Sequence, residues 1–180
     1  MNIIRINAAA LPIYAKELAS VLVDAITQGA SVGYIAKIPH EEAASYFHSL
    51  CPALAEEQLL LWIAKDESGV IGTVQLSLCQ KPNGLNRAEV QKLLVHSHAR
   101  RSGIGRELMK ELEKSALAQS RGLLYLDTQA GSVAEHLYRS LGYQYIGELP
   151  DYAAAPDGYY YPTAIYYKRL LSINQTSVTA

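Results

Sequence analysis

The stretch best suited to chemistry is Arg100-Arg101-Ser102-Gly103-Ile104-Gly105, followed at once by Arg106. Two glycines let the main chain come close to a ligand. After them Ile104, Leu108, Leu112 and Ala116, with Met109 beside them, repeat with a helical period. The unpaired N–H groups at such a helix start, together with the arginines, suit a pyrophosphate. The spacing is not that of the dinucleotide fingerprint, whose third glycine is here Leu108, and no GKS or GKT follows as in a nucleotide phosphate loop. Charge agrees with an anionic ligand. Between residues 86 and 121, eight basic residues (Arg87, Lys92, Arg100, Arg101, Arg106, Lys110, Lys114, Arg121) meet four acidic ones (Glu89, Glu107, Glu111, Glu113), while the rest of the chain is net negative. The plainer alternative is a glycine-softened turn with a solvated basic helix face.

Such a loop needs a strand before it and a helix after it, and the flanking pattern supplies both. A weak alternation over residues 2–7 predicts a strand. Leu11, Tyr14, Leu18, Val21, Leu22 and Ala25 predict a helix over 11–28, ended by Gly29. Pro39, Glu41 and Glu42 open a second helix expected to run to about residue 57. Residues 59–65 (LLLWIAK) and 70–79 read as two strands joined by a hairpin at ESG, and 87–95 as a third. Beyond the helix at 104, residues 123–128 form a short strand. Val133, Leu137 and Leu141 mark a helix stopped by Gly142. Strands at 143–147 and 161–168 flank a loop, DYAAAPDGYY. The order β α α β β β α β α β β predicts an α/β (α+β) fold, a mixed sheet with helices on its faces.

Composition narrows the function classes. With 180 residues, 49% apolar and 18% charged, the chain is a globular domain of ordinary size. A net charge of −1 speaks against a dedicated nucleic-acid binder. Cys51 and Cys79 have neither disulfide-framework nor zinc spacing, and no His/Asp/Glu spacing suggests a metal. No apolar run reaches the roughly 18 residues of a membrane span, and the N-terminus lacks a signal-peptide core, so a soluble cytoplasmic protein is expected.

Arg-x-x-Gly-x-Gly after a strand ending LLV, with AEHLYRSLGY at 134–143, resembles the GNAT family of acyl-CoA N-acyltransferases. The resemblance runs from about Leu59 to Lys168. It implies the GNAT fold, a mostly antiparallel twisted sheet of about seven strands with helices on both faces. It also implies acetyl-CoA as co-substrate, no metal, and a role for each motif. Arg100, Arg101, Ser102, Gly103, Ile104, Gly105 and Arg106 would cradle the pyrophosphate. Leu94 and Val95 would offer backbone groups to the pantetheine, and Tyr138 would be the general acid near the sulfur. A phenol of pKa about 10 is protonated at neutral pH and can donate to a sulfur of pKa about 8.5. The family's asparagine seven residues before that tyrosine is replaced by Gly131, so Ser132 takes its contacts or caps the helix.

Glu89 and Asp127 fall on strands that this fold sets side by side. Either could take the amine's proton or hold its ammonium, or each could be a plain ion-pair partner for Arg87 or Lys92. His96, His98 and His136 are the other candidate bases. Nine of the 13 tyrosines lie from Tyr138 to Tyr167, which reads as core and sheet surface or as an acceptor pocket walled by residues 151–161, with Asp151, Asp157 and Tyr159–Tyr161 in it. A narrower resemblance, to the family's acetyltransferases that inactivate an amino-acid-type β-lactam toxin, rests on SLCQKPNGLNRAEVQKL, RGLLYLDTQAGSVAE, ELPDYAAAPDG and PTAIYYK. The expected protein is one acetyltransferase domain over 1–170 with a loose tail at 171–180. It would act on a small-molecule primary amine, with no nucleic-acid or membrane partner and with a homodimer allowed. The alternatives are a protein N-terminal or lysine acetyltransferase and a non-catalytic acyl-CoA sensor.

Overall fold

The computed structural model describes residues 1–155 and 157–172. The expected tail at 171–180 therefore lies almost wholly outside the described residues. Strands β1 (Asn2–Ile6), β2 (Leu59–Asp66), β3 (Gly69–Leu78), β4 (Arg87–Val95), β5 (Leu123–Gln129), β6 (Gln144–Ala154) and β7 (Tyr160–Arg169) form one sheet in the order β1-β2-β3-β4-β5-β7-β6. Every neighbouring pair is antiparallel except β4 and β5. The mixed, mostly antiparallel seven-stranded fold expected from the sequence is the fold observed.

The continuous apolar run of β2 follows from cover on both faces. Leu60, Trp62 and Ala64 point into one core with Ile104, Leu108, Met109, Leu112 and Ala116 of α4 (Ile104–Ala118). Leu59, Leu61 and Ile63 point into the other, with Leu11, Leu18, Leu22 and Ala25 of α1 (Leu11–Thr27). The period of two along β2 thus splits one apolar run between two layers of helices.

Three local expectations change. The helix expected to run from Pro39 to about residue 57 is two, α2 (His40–His48) and α3 (Cys51–Ala55). Pro52 lacks an N–H, and its ring excludes a continuous helix through residue 48, so it starts a new one instead. The Ser49 hydroxyl closes α2 by donating to the Tyr46 carbonyl at 2.6 Å. In α5 (Ala134–Ser140), Val133 is 78% exposed and precedes the helix, whereas Glu135 takes the inward position. The loop at DYAAAPDGYY is shorter than expected, because β6 continues through a bulge to Ala154. Asp151, at φ +50, belongs to that bulge.

Candidate active site

The cavity that could hold substrates exists because two parallel strands part. β4 and β5 pair only through Arg87–Glu89 and Leu123–Tyr125. Beyond that point β4 carries a bulge: its register with β3 passes from Gln75 opposite Gln91 to Thr73 opposite Leu94. Lys92 sits in the bulge with φ +50, a backbone region that non-glycine residues seldom adopt. β5 instead stays paired with β7 as far as Gln129 opposite Thr163. A cavity of about 1220 Å³ fills the gap.

Glu89, Leu94, Asp127, Ser132 and Tyr138 all line this cavity. Val95, the last residue of β4, and the stretch from Arg100 to Arg106 beyond its end do not. Tyr138 is buried, and its hydroxyl bonds to no described residue. Burial raises its pKa, and the charge of Asp127 raises it further. Asp127 accepts a hydrogen bond from the Thr163 hydroxyl at 2.8 Å. Among the described residues neither Glu89 nor Asp127 forms an ion pair, so the plain pairing with Arg87 or Lys92 is not what the structure contains. Both carboxylates act on their neighbours through space. Asp127, with some burial and Glu89, raises the pKa of Tyr152, and the two charges partly offset the burial that lowers Lys92.

Helix α5 is held by a network that the sequence did not announce. Glu135, buried, accepts the Gly131 N–H at 2.6 Å and Arg139 Nη2 at 3.0 Å, and also the Tyr166 hydroxyl. Burial alone would raise Glu135, but these donors hold its pKa below the usual carboxylate value. Tyr166 is pushed up to about 12 by burial and by Glu135. Ser132 does not cap α5. Its hydroxyl lies 3.3 Å from that of Thr128, and the helix start has no side-chain cap.

The arginine–glycine stretch forms a turn that ends on α4. Arg101 and Gly103 have φ of +62 and +83, and Gly103 is the N-cap residue, without a side-chain cap. The first helical bond runs from the Glu107 N–H to the Gly103 carbonyl, so the N–H groups of Ile104, Gly105 and Arg106 precede it and are left for an external acceptor. Side chains around the turn lock it to its neighbours. Arg100 donates Nε to the Val95 carbonyl (3.1 Å), the Ser102 hydroxyl donates to the Ala99 carbonyl (2.5 Å), and Arg106 donates to Ser140 Oγ (2.7 Å). Gly105 packs against α5, where a Cβ would meet Leu137 at 3.1 Å. The turn and the helix of Tyr138 are thus in direct contact.

Other expected residues fall elsewhere. His96 and His98 face each other (2.7 Å between Nδ1 atoms), with His96 beside Asp24, and neither they nor His136 line the cavity. Of the expected acceptor wall at 151–161, Tyr152, Ala153 and Tyr161 line the cavity among the described residues, whereas Asp151, Asp157, Tyr159 and Tyr160 do not. Asp157 is used within its own turn, accepting the Tyr159 N–H (2.9 Å) and the Tyr161 hydroxyl (3.1 Å), while Tyr159 and Tyr160 are exposed. Tyr46 and Gln75, distant in sequence, complete the opposite wall. Among the described residues no group of His, Cys, Asp or Glu is placed to hold a metal, and no helix is long and apolar enough to cross a membrane.

Residues 57–145 match the family model of the acetyltransferase (GNAT) domain. This stretch, just under half of the chain, is an acetyltransferase (GNAT) domain. The match runs from β2 into β6 and so contains Glu89, the 100–106 turn, Asp127 and Tyr138. N-acetylaspartate synthetase from Danio rerio is 33% identical over 92 residues, 51% of this chain and 32% of that protein, so the chain spans about a third of that relative's length. The ribosomal-protein-alanine N-acetyltransferase from Brucella melitensis superposes with a TM-score of 0.76 at 22% identity, covering 94% of this chain and 100% of that one. The structure of yncA from Salmonella typhimurium with its cofactor acetyl-CoA superposes at 0.77 with 13% identity, covering 99% and 98%. At these identities the solved structures establish that the GNAT domain has the GNAT fold.

Proposed function

We propose that this domain transfers an acetyl group from acetyl-CoA directly to the primary amine of a small molecule of amino acid size, within a ternary complex. One observation carries the reading: a buried phenol, Tyr138, opens into the same cavity as two carboxylates, Glu89 and Asp127, that form no ion pair among the described residues. When bound, acetyl-CoA supplies the electrophilic thioester carbonyl and a thiolate leaving group. Tyr138 holds the proton for that sulfur at Oη. Glu89 and Asp127 attract the ammonium and take its proton, so that a neutral amine is presented. The turn fits a pyrophosphate, since the start of α4 is uncapped, Gly103 is open, and Arg100, Arg101 and Arg106 surround it. Leu94, Val95 and Ser132 would flank the pantetheine on its way to the cavity.

A small acceptor is favoured by the cavity's walls. The loop from Gly29 to Gly33 lines one side, and Tyr152 and Tyr161 of the β6–β7 hairpin line another, walls that suit a compact ligand better than an extended peptide. The amino acid class is supported by the resemblance of the quoted stretches to the tabtoxin resistance protein, which acetylates an amino-acid-type β-lactam, and by the name of the Danio rerio relative. Toxin or antibiotic resistance in the cytoplasm is the matching physiological role. Residues 1–170 are read as one domain, since a single sheet carries both cores. A homodimer would use the edge strand β6, where Tyr145, Ile146 and Leu149 are exposed.

The test is thiol release from acetyl-CoA with free amino acids, amino acid β-lactams, polyamines and short peptides. Turnover of the amino-acid-sized amines is expected. Activity on peptides alone would make this a protein acetyltransferase, and tight acyl-CoA binding without turnover would make it a sensor.

The turn has its own test in Gly103→Val. A Cβ at Gly103 meets nothing within 4 Å, so the added side chain has room at its base, while φ +83 costs it about 1–2 kcal/mol. The Kd for acetyl-CoA, measured by calorimetry, should rise about tenfold or more as the pyrophosphate loses its close approach. An unchanged Kd would move the cofactor site away from this turn.

A further inference from the structure

Gln75 lies on β3 at the base of the cavity, 1% exposed, in a run that is otherwise apolar or small. The Tyr46 hydroxyl donates to its Oε1 at 3.1 Å, which orients the amide and turns Nε2 the other way. Nε2 is buried and has no acceptor among the described residues. A native core leaves few such donors unpaired, because each loses its water without a replacement. The bulge in β4 brings a second donor to the same wall. Gln91 is opposite Gln75, and the next residue is Lys92. Its ammonium stands 5.7 Å from the centre of the Tyr46 ring and forms no ion pair among the described residues. Gln75, Tyr46 and Lys92 line the cavity together with Glu89 and Asp127.

We propose that Gln75 Nε2 and Lys92 Nζ form a carboxylate-binding subsite, with Tyr46 as the positioning residue that holds the Gln75 amide. The two oxygens of a carboxylate match one amide donor and one ammonium, and the negative charge compensates an otherwise unpaired, half-buried lysine. Glu89 and Asp127, close enough to bias Lys92, receive the ammonium of the same molecule. The acceptor is thereby specified as an amine that carries a carboxylate a short distance away. This rests on the small-amine reading above and deepens it. It also puts Tyr46, Gln75 and Lys92 in the place expected for Asp151, Asp157, Tyr159 and Tyr160.

The experiment compares kcat/KM for matched pairs, an amino acid and the amine obtained by removing its carboxyl group. The wild-type protein should prefer the acid. Lys92→Met and Gln75→Leu should each lower that preference about tenfold or more, the size of a lost hydrogen bond to a charged group. Tyr46→Phe should lower it less, and Lys92→Arg should restore part of it. Gln75 is buried and its substitution can disturb folding, whereas Lys92 is part exposed, so Lys92→Met alone is decisive. A preference that survives Lys92→Met overturns the subsite. Wild-type turnover that favours the decarboxylated amines overturns it too and leaves small-amine acetylation standing. No turnover of any small amine sinks both.

Discussion

Tyr138→Phe should lose turnover by about 100- to 10,000-fold, the usual contribution of a general acid, and still bind acetyl-CoA with wild-type affinity. The substitution removes one oxygen from a side chain that is 6% exposed and otherwise packed on Tyr143 and Tyr166. Since that hydroxyl bonds to no described residue, its loss leaves no orphaned partner, and the melting temperature should barely move. The pH dependence gives a second readout. Burial and Asp127 both shift Tyr138 upward, so the phenol keeps its proton to beyond its ordinary pKa of about 10. The wild-type rate should therefore rise with pH as amine is neutralised, with no alkaline decline from Tyr138 below pH 10. The same burial penalises a thiolate released beside it, so the sulfur's affinity for the proton rises along with that of the phenol. A rate within twofold of wild type, with a good acceptor, would reduce Tyr138 to a packing residue.

What the sequence disclosed and what it withheld divide along physical lines. Periodic burial is legible because it is local. The face Ile104, Leu108, Leu112 and Ala116 reads off the chain, as does the apolar run of β2, and each is fully or nearly fully buried. The turn at 100–105 is legible because positive φ and close approach select glycine, and Gly103 shows the first while Gly105 shows the second. The walls of the site are not local. Gln75 and Tyr46 meet only because α2 packs over the sheet. Their one signal was Gln75 itself, the longest polar side chain on the Thr73, Gln75 and Ser77 face of the alternating run 70–78. Lys92 looked like a surface charge, and only the bulge turns it toward the cavity. Glu135 was hidden inside a helical motif whose apolar positions seemed to define the buried face. The acidic and aromatic density at 151–161 divides: Tyr152, Ala153 and Tyr161 line the cavity, whereas Asp157 is spent within its own turn on the Tyr159 N–H and the Tyr161 hydroxyl.

Replacing the carboxylates should act on the amine and not on the cofactor. With Glu89→Gln and Asp127→Asn, acetyl-CoA affinity should stay constant while kcat/KM for the acceptor falls, by up to about 100-fold or more in the double variant. The pH optimum should move upward. A neutral amine is required for attack, and if no carboxylate removes its proton in the site, more of it must arrive already deprotonated, which only a higher pH provides. The two residues should differ in how they respond. Asp127 is tied to Thr163 at 2.8 Å and reaches Tyr138, Tyr152 and Lys92 through its charge, so Asp127→Asn should also lower the pKa of Tyr152 and of Lys92. Glu89 has no hydrogen-bond partner among the described residues and is free to reorient toward a ligand. Its removal should therefore leave Tyr138 undisturbed and show mainly in the acceptor's KM. Lys92 makes the comparison sharper: a carboxylate lost beside it leaves the cavity more positive, so a cationic amine binds less well while an anionic inhibitor binds better. Titrating a simple carboxylate such as acetate as a competitor of the acceptor would register that change directly. Pure acceptor effects with an upward pH shift place both carboxylates on the amine side, and pH–rate profiles identical to wild type in all three variants would remove them from the mechanism.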